Sequence, residues 1–474
     1  MRKTKIVCTI GPASNEIEIM KELIQAGLNV ARFNFSHGTH DSHRETANKM
    51  RQAAKELDAP VALMLDTKGP EIRTKALSTD SVFLEAGNTF TLTIRDIVGN
   101  ENEVAVTHDG FTSDVKAGGR VLVDDGLVEL HVEKVTDTDV ICKIINSGTL
   151  KANKGINLPD FNVSLPALTE KDISDIEFAV KEGFHYIAAS FIRSASDVKQ
   201  IRDILKKHGG DGIKIISKIE NHQGINNIDE IIEASDAIMV ARGDLGVEIN
   251  AEDVPLVQKM MISKCNKAGK PVITATQMLE SMIVNPRPTR AETSDVANAV
   301  FDGTDAIMLS GETANGKYPI EAVKTMARIA TKIEEEIKYD HSFKPTESDI
   351  VSATDAITYA ATRIARDIKA DAIIALTNSG FTAHMISKFK PKTPIITMTP
   401  NEIVYRQNSL VWGSTPLLVK EANDPDELLK ISLEEAEKQD ELHKGDIVVV
   451  VSGMPVGVSG TTNNVRVHVL GQEI

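Results

Sequence analysis

IISKIEN (Ile215–Asn221) and IMVARGDLG (Ile238–Gly246) are two short apolar runs that each end in charged residues. Runs of this length and character predict β-strands. From Lys3 onward, such runs alternate with longer amphipathic ones, which is the pattern of βα units around a parallel sheet. We predict eight strands of this kind: Lys3–Ile10, Asn29–Phe35, Val61–Thr67, Tyr186–Phe191, Lys214–Glu220, Ala237–Asp244, Pro271–Gln277 and Ala306–Glu312. They predict an α/β fold, the TIM (β/α)8 barrel, whose chemistry lies at the C-terminal strand ends.

The charged residues that end the two quoted runs form a candidate site. Residues two apart in a strand point the same way, so Lys218 and Glu220 share one face of the first strand. Arg242 and Asp244 share one face of the second. Carboxylates that converge from neighbouring strand ends suit a hard divalent ion such as Mg²⁺, and a nearby lysine suits phosphate or enolate charge. A pair of solvated surface salt bridges is the alternative interpretation.

The interval between the third and fourth strands breaks the βα rhythm. Between residues 69 and 168, short alternating runs such as FTLTI and VICKII are punctuated by glycine and asparagine. This pattern predicts an all-β insertion. Its two ends leave and rejoin the barrel beside each other, at hinges predicted at Lys68–Pro70 and Leu165–Pro166. We therefore predict a lid over the barrel mouth that excludes water when it closes.

The C-terminal part of the chain is predicted to form a separate unit. The polar segment HSFKPTES at residues 341–348 has no strand pattern and is predicted to be a linker. A new α/β alternation then predicts a mostly parallel three-layer domain, with strands Asp371–Thr377, Thr393–Met398, Pro416–Val419, Asp446–Ser452 and Val465–Leu470. The predicted domains are the barrel at 1–68 and 169–340, the lid at 69–168 and the C-terminal α/β domain at 345–474.

Composition excludes several classes of function. The chain has 474 residues, too many for one ordinary core. Its net charge of −15 and aromatic content of 4% oppose nucleic-acid binding. No apolar run reaches the roughly 18 uncharged residues that would span a membrane. Three widely spaced cysteines without a CxxC pair fit a reducing cytoplasm better than a disulfide framework.

Polar side chains stand at the C-terminal ends of six of the eight predicted strands. They are Arg32, Asn34, Ser36, Asp66, Thr67, Lys218, Glu220, Arg242, Asp244, Thr276, Ser310 and Glu312. Functional groups on so many strand ends indicate a site. Four hard oxygen ligands from adjacent strands also form a candidate cage for a monovalent or divalent cation: Asn34, Ser36, Asp66 and Thr67. Asparagine and serine also cap helices, which is the alternative role for these residues.

With these residues in place, the sequence closely resembles the pyruvate kinase family over essentially its whole length. The motifs that carry the resemblance are KTKIVCTIGPAS, NVARFNFSHG, LDTKGPEIRT, ISKIEN, VARGDLGVE, TATQMLESM, NPRPTRAE and DAIMLSGETANGKYP. The resemblance implies a (β/α)8 barrel, an inserted β-barrel lid and a C-terminal regulatory domain, the three parts that the periodicity also predicts. Because the sequence stops at Ile474, it further implies a bacterial-type member without the extra C-terminal domain of some relatives.

The resemblance implies roles for the residues around the barrel mouth. Glu220 and Asp244 match the family's Mg²⁺ (or Mn²⁺) ligands. Lys218 matches the lysine that neutralises the transferring phosphoryl group and the developing enolate. Arg32 and Arg73 match the phosphate-binding arginines. Phosphoryl transfer requires little covalent chemistry from the protein, so cations placed on the transferring oxygens carry most of the effect.

The resemblance also implies binding sites for the substrate carboxylate, the nucleotide and K⁺. The amides of Gly243 and Asp244, which begin a helix, match the carboxylate site. Thr276 assists them and matches the threonine that relays a proton to the enolate carbon. The implied nucleotide-binding residues are Asn34, His37, Arg73 and Lys154, and a merely solvated side chain is the alternative for His37 and Lys154. The implied K⁺ ligands are Asn34, Ser36, Asp66 and Thr67. Glu71 goes with K⁺ dependence in this family.

A site for a phosphorylated allosteric effector is implied in the C-terminal domain. Its residues form a hydroxyl-rich strand-to-helix turn, a geometry that cradles phosphate: Thr377, Asn378, Ser379, Gly380, Phe381 and Thr382. A plain capping turn is the alternative. A second loop, Gly453–Thr462, lacks the tryptophan-arginine element of some fructose-bisphosphate-activated relatives. Fructose bisphosphate, ribose 5-phosphate and AMP therefore all stay open as effectors.

The sequence thus predicts a phosphotransferase that moves the phosphoryl group of phosphoenolpyruvate to ADP, giving pyruvate and ATP in the last step of glycolysis. The resemblance implies a homotetramer. A barrel lyase could form a Mg²⁺-bound enolate of pyruvate with the same Glu220 and Asp244, but it would need neither the lid nor Lys154 as a nucleotide clamp. A non-catalytic sugar-phosphate sensor is the third alternative. The functional side chains at the ends of six barrel strands argue against it, because such a sensor would use only the last domain.

Overall fold

The structure is a computed structural model that describes residues 2–337, 339, 350–422, 424–439, 441–454 and 460–473. The predicted linker at residues 341–348 lies outside the described residues. So do residues 455–459 of the second predicted effector loop.

Eight parallel strands close into a barrel, as the sequence predicts. In chain order the described strands are β1 (Lys5–Thr9), β2 (Val30–Asn34), β3 (Ala62–Asp66), β4 (Ile72–Arg73), β5 (Ser81–Leu84), β6 (Thr89–Thr93), β7 (Glu103–Ala105), β8 (Arg120–Val123), β9 (Val128–Val135), β10 (Asp139–Ile144), β11 (Gly148–Lys151), β12 (Gly155–Asn157), β13 (Tyr186–Ala189), β14 (Lys214–Ile219), β15 (Ala237–Ala241), β16 (Val272–Ala275), β17 (Ala306–Leu309), β18 (Ala372–Leu376), β19 (Ile395–Thr399), β20 (Ser414–Leu418), β21 (Ile447–Gly453) and β22 (Thr462–Val469). The barrel order is β1-β17-β16-β15-β14-β13-β3-β2, with every neighbouring pair parallel. The predicted fold class is confirmed.

The barrel strands are buried on both faces, which is why they read as continuous apolar runs. Every residue of β1, β3 and β15 is buried. Val7, Met64 and Ile216 pack against one another inside the barrel. Their strand neighbours point outward and pack against the surrounding helices. Parallel sheets covered on both faces lack the apolar–polar alternation of half-exposed strands.

Helices cover the outside of the barrel and both faces of the C-terminal sheet. In chain order they are α1 (Ile17–Ala26), α2 (His40–Glu56), α3 (Phe111–Asp114), α4 (Glu170–Lys181), α5 (Ala195–Lys207), α6 (His222–Asn226), α7 (Ile228–Ala234), α8 (Arg242–Glu248), α9 (Val254–Ala268), α10 (Arg290–Phe301), α11 (Gly311–Ala314), α12 (Pro319–Glu336), α13 (Ala353–Asp367), α14 (Phe381–Ser387), α15 (Glu402–Gln407) and α16 (Pro425–Ala436), with 3₁₀ turns at Glu280–Ile283 and Asn408–Leu410. Reciprocal capping boxes fix the starts of four of them. None of the helices in the described part combines the length and apolar character that crossing a membrane requires.

The insertion between β3 and β13 forms its own sheet beside the barrel. Its strand order is β4-β12-β8-β9-β10-β6-β7, and β5 pairs separately with β11. The two outer edges meet through a bridge between Thr74 and Val106. The Lys75 N–H also donates to the Ala105 carbonyl at 2.7 Å. The sheet therefore curls toward a small barrel around an apolar core of its own.

The C-terminal unit carries a five-stranded sheet and also closes one end of the barrel. The strand order is β20-β19-β18-β21-β22, parallel except for the antiparallel β22. Leu410, in the 3₁₀ turn before β20, is fully buried in the inner barrel cluster beside Met64. The Tyr186 hydroxyl, at the start of β13, donates to the Gln407 carbonyl at 2.7 Å. The C-terminal unit thus forms the floor of the barrel.

Several predicted barrel strands are shorter than the sequence suggested. The strand predicted at Ala306–Glu312 ends at Leu309, and Glu312 lies in helix α11. β15 ends at Ala241, and Arg242 begins helix α8, so the prediction that Arg242 and Asp244 share a strand face is wrong. The Arg242 guanidinium turns across the end of β16, where it donates to the carbonyls of Ala275 at 3.1 Å and Thr276 at 2.7 Å. These bonds hold the end of the next strand and turn the chain out of the barrel.

Candidate active site

A buried charge cluster lies at the C-terminal ends of β2, β3 and β14. The Lys218 Nζ lies 2.9 Å from Glu220 Oε1 and 3.1 Å from Asp66 Oδ1. The Arg32 Nε lies 2.6 Å from Asp66 Oδ2. Lys218 also donates to the Ser190 hydroxyl at 2.8 Å. The fold therefore brings together four of the sequence-predicted site residues and adds a serine that the sequence did not indicate.

Burial and mutual repulsion set the charge states in this cluster. The pKa of Glu220 is raised to about 7, mainly by burial; Lys218 lowers it and Asp244 contributes to the increase. Burial alone would also raise the pKa of Asp66, but Arg32 and Lys218 hold it below its usual range. Burial opposes the charge of Lys218, yet Asp66 and Glu220 raise its pKa above the normal lysine value. The site thus holds a permanent ammonium beside a carboxyl group close to its titration point.

Two of the strand ends at this mouth carry left-handed backbone. Phe191, just after β13, has φ +55°, and its N–H donates to Glu220 Oε2 at 2.6 Å. Thr276 and Gln277, just after β16, have φ +67° and +54°. Non-glycine residues adopt this conformation rarely, and such residues cluster at functional sites. The Phe191 amide is a functional contact that no sequence pattern revealed.

Gly243 and Thr276, both predicted to bind the substrate carboxylate, contact each other. The Gly243 N–H donates to Thr276 Oγ1 at 2.7 Å. The threonine hydroxyl in turn donates to the Ala275 carbonyl at 2.6 Å. Gly243 lies in the first turn of α8, where backbone N–H groups lack partners within the helix. Asp244 follows it in the same turn.

A cavity of about 560 Å³ separates the insertion from the barrel mouth. Asp244 lines it on the barrel side, and Arg73 and Lys154 line it on the insertion side. The Arg73 Nε lies 2.7 Å from Glu71 Oε2, and the Lys154 Nζ lies 2.8 Å from Asp124 Oδ1. Arg32, which pairs with Asp66 at the strand ends, is not among the residues that line this cavity. The two arginines predicted to bind phosphate thus belong to different parts of the chain, Arg32 to the barrel strand β2 and Arg73 to the insertion.

The remaining predicted residues of the mouth lie around the end of β2. The Ser36 N–H donates to Asn34 Oδ1 at 3.1 Å. Asn34 and Asp66 are register partners on neighbouring strands. Thr67 Oγ1 accepts a hydrogen bond from the Ser190 N–H at 3.1 Å. His37 is exposed and is not among the residues that line the cavity.

The predicted effector residues form the turn between β18 and α14. Gly380 has φ +84°, which favours glycine, and its N–H donates to Thr377 Oγ1 at 3.0 Å. The Thr382 and Thr462 hydroxyls lie 2.9 Å apart and are buried. Asn378 is exposed, and Ser379 and Phe381 are half-buried. The turn thus opens to solvent on one side and is fastened to β22 on the other.

Carboxylates are the metal-binding groups that this mouth offers. Glu220 and Asp244 are close enough for the charge of Asp244 to raise the pKa of Glu220. Within the described ranges, no group of three or more histidine, cysteine, aspartate or glutamate side chains is arranged to hold a metal ion. A cation at Glu220 and Asp244 would therefore need further oxygen ligands from substrate or water.

Comparisons with known proteins place the chain among enzymes of one kind. Residues 1–323 match the family model described as "Pyruvate kinase, barrel domain", and residues 355–468 match "Pyruvate kinase, alpha/beta domain". The pyruvate kinase of Sporosarcina psychrophila is 51% identical over 99% of this chain and 81% of its own length. That of Clostridium acetobutylicum is 49% identical over 99% of this chain and 100% of its own length.

A solved structure agrees with the sequence comparisons. The crystal structure of a pyruvate kinase from Cryptosporidium parvum superposes with a TM-score of 0.95 and 41% identity, covering 99% of this chain and 96% of that chain. Relatives at about half identity over nearly the full chain indicate a phosphotransferase. The chain belongs to the pyruvate kinase family.

Proposed function

We propose that this protein transfers the phosphoryl group of phosphoenolpyruvate to ADP, giving pyruvate and ATP. The observation that carries the proposal is the buried cluster around Lys218 at the strand ends. It lies beside the cavity that Arg73 and Lys154 line, because Phe191 of the cavity wall donates its N–H to Glu220 of the cluster. Cationic groups at the strand ends and on the insertion suit two phosphate-bearing reactants that must meet. Family membership favours this reaction over the alternative lyase.

We assign a divalent cation, Mg²⁺ or Mn²⁺, to Glu220 and Asp244. Their fit to such an ion rests on chemistry: two neighbouring carboxylates repel each other, and this repulsion contributes to the raised pKa of Glu220. A hard cation would relieve the repulsion and keep both groups ionised. When bound, the ion supplies charge neutralisation to the substrate oxygens.

The protein's own groups bind and orient the reactants. Lys218 offers a permanent ammonium to the transferring phosphoryl group and to the enolate oxygen that develops, and Arg32 offers a second cation on the same side. The Gly243 and Asp244 amides bind the substrate carboxylate, which takes the place of the Thr276 hydroxyl now bonded to Gly243. Freed from Gly243, Thr276 is available to relay a proton to the enolate carbon.

On the nucleotide side, Arg73 and Lys154 bind the ADP phosphates. Their position in the cavity wall opposite Asp244 supports this role. For Asn34 and His37, the assignment as nucleotide contacts rests on the family resemblance alone. Closure of the insertion over the barrel would bring the two sets of cations together and exclude water.

We also propose K⁺ activation. The donor set consists of four hard oxygen ligands at adjacent strand ends, supported by the register pairing of Asn34 with Asp66: Asn34, Ser36, Asp66 and Thr67. Arg32 and Lys218 already neutralise Asp66, so the other oxygens must supply much of the coordination. Full activity in Na⁺ buffer without K⁺ would refute this assignment. Glu71→Lys is the variant to test, because Glu71 goes with K⁺ dependence in this family.

A phosphorylated effector is proposed to bind the turn at residues 377–382, in a cytoplasmic homotetramer. The exposed, hydroxyl-rich side of the turn supports this site. Thr382 hydrogen-bonds to β22, so a bound effector would act on the C-terminal sheet through this contact. Ser379→Glu should abolish activation by fructose bisphosphate, ribose 5-phosphate or AMP while leaving the unactivated rate intact. An unchanged response would move the effector elsewhere.

One coupled assay tests the main reaction. Pyruvate formation from phosphoenolpyruvate should require both ADP and a divalent cation and should disappear in Glu220→Gln. Glu335→Gln, an exposed residue in the last turn of α12, is the matched control and should retain the rate. Pyruvate release from an aldol substrate without nucleotide would instead support the lyase.

A further inference from the structure

A second cavity, here called the seam cavity, lies between the barrel and the C-terminal unit. Its volume is about 590 Å³, within the range of small-molecule sites. Arg51 and Lys55 of α2 line the barrel side, and Tyr405 and Arg406 of α15 line the other. His185, just before β13, lies between them. These residues stand near the N-terminal ends of the barrel strands, away from the catalytic mouth.

Part of the seam cavity wall is apolar. Met50, Val61 and Leu63 contribute from the barrel, and Ile403 and Leu418 contribute from the C-terminal unit. Ile403 is 46% exposed, and Leu418 is 49% exposed. Apolar surface left uncovered beside charged groups fits the organic portion of a charged ligand.

Positive charge exceeds negative charge in the seam cavity wall. The three cations Arg51, Lys55 and Arg406 face the two carboxylates Asp58 and Glu402. Arg406 pairs with Glu402 at 2.9 Å, but that carboxylate is 66% exposed and so screens weakly. Arg51 donates to a backbone carbonyl, that of Glu182. Burial lowers the pKa of Arg51, and the nearby Arg406 charge lowers it further. The two guanidinium groups therefore repel each other across the cavity.

His185 adds a neutral hydrogen-bond donor between the two arginines. Its Nδ1 accepts the Leu63 N–H at 2.8 Å, so the neutral ring carries its proton on Nε2. Burial lowers the pKa of His185 to about 3, and Arg406 and Arg51 act in the same direction, so the ring stays neutral. His185 as a whole is 7% exposed, and it belongs to the cavity wall. The bond to Leu63 thus fixes the tautomer of a neutral ring whose Nε2–H is a hydrogen-bond donor at the cavity wall.

We propose that the seam cavity binds a small organic anion with an apolar or aromatic body. The anionic group is either a phosphate monoester or a carboxylate. Arg51 and Arg406 bind the anionic group, the His185 Nε2–H donates to it, and the apolar wall with Tyr405 covers the organic body. Because one arginine belongs to the barrel and the other to the C-terminal unit, the bound anion joins the two units. This site is separate from both the catalytic mouth and the turn at residues 377–382.

Calorimetric titration of the full chain tests the proposal with two probes, phenyl phosphate and benzoate, which distinguish a phosphate from a carboxylate ligand. At least one probe should bind the parent protein and the Lys218→Met variant equally, because the seam cavity does not use Lys218. The double variant Arg51→Gln with Arg406→Gln should lose about tenfold or more in affinity, which is ~1.4 kcal/mol. Lys49→Gln, which removes a charge from the same helix outside the cavity, is the matched control and should bind as the parent does.

A second variant protects the test against misfolding. Ile403→Glu places a carboxylate at the partly exposed cavity wall and should weaken binding of the same probe by a similar factor. The proposal is overturned if neither probe binds the parent in the millimolar range. It is also overturned if binding is lost in Lys218→Met but kept in the double variant and in Ile403→Glu, since the probe would then occupy the catalytic mouth.

Discussion

Replacing Lys218 by methionine should abolish phosphoryl transfer and also make the stability of the barrel depend on pH. The substitution keeps the length of the side chain but removes the ammonium that Glu220 contacts at 2.9 Å and Asp66 at 3.1 Å. Asp66 keeps Arg32 as a partner at 2.6 Å. Glu220 keeps the Phe191 N–H but has no other cation in its described surroundings. The lost stability should therefore come mainly from Glu220.

The size of the effect follows from burial and charge. Removing one partner of a buried ion pair costs about 3–5 kcal/mol when the other stays ionised. In the parent, Lys218 lowers the pKa of Glu220, which is still about 7. Without Lys218, the folded-state pKa rises further above the unfolded value of roughly 4.5. The folded variant then holds a proton that the unfolded chain has released, so its stability falls as pH rises.

Thermal unfolding at about pH 5.5 and about pH 8.5 measures this difference. The variant should lie close to the parent at the lower pH, where Glu220 is protonated in both proteins. At the higher pH it should melt lower by about 10 °C, given roughly 2–4 °C per kcal/mol for a domain of this size. The double variant Lys218→Met with Glu220→Gln should recover most of the loss at high pH while staying inactive.

Two results would refute this reasoning. Equal melting of the variant and the parent at both pH values would mean that the Lys218–Glu220 pair does not govern the charge of Glu220. A double variant no more stable than Lys218→Met at high pH would place the cost in packing or in Asp66. Retained turnover in Lys218→Met would separately refute its role in phosphoryl transfer.

Three further variants test other parts of the structure. Leu410→Ala should lower unfolding free energy by about 2–5 kcal/mol, because it opens a void in the fully buried barrel floor; Leu418→Ala, half-exposed, is the control in the same melting assay. Ser190→Ala should lower kcat at least several-fold with little change in melting temperature, because Lys218 loses a 2.8 Å hydrogen bond that orients it; an unchanged kcat would make Ser190 merely structural. Arg73→Gln should raise the KM for ADP about tenfold or more, ~1.4 kcal/mol, whereas Arg95→Gln on a distant part of the insertion should not.

The repetitive pattern of the sequence accounts for how well the fold was predicted. Strands buried on both faces read as uniform apolar runs, and except at the insertion after β3 these runs alternate with amphipathic helices. The boundary at Ala241 was missed for a related reason. The predicted strand continued until Asp244, whereas the chain turns as soon as Arg242 can bond the end of β16. Strand ends depend on such tertiary contacts, which periodicity does not contain.

In the buried cluster around Lys218, only the charged side chains were predictable from the sequence. Lys218, Glu220 and Asp66 stand out because they interrupt apolar runs. Ser190 and the Phe191 N–H do not, since a serine next to a phenylalanine is unremarkable and every residue has an amide. The seam cavity was unpredictable for another reason. It is made by Arg51 and Arg406, which are more than three hundred positions apart and meet only when the two units dock.

The left-handed backbone at Phe191, Thr276 and Gln277 has a consequence for engineering. Each such residue costs of order 1 kcal/mol that glycine would not, so a screen that selects only for heat resistance should favour glycine there. Gln277→Gly is the substitution most open to this route, because its side chain is exposed and the change removes no buried packing. Glycine would also make the backbone at the end of β16 more mobile, so the Thr276 hydroxyl would be less well positioned. Thermostable variants obtained in this way should be slower enzymes. At this turn, a gain in stability would come with a loss of catalytic rate.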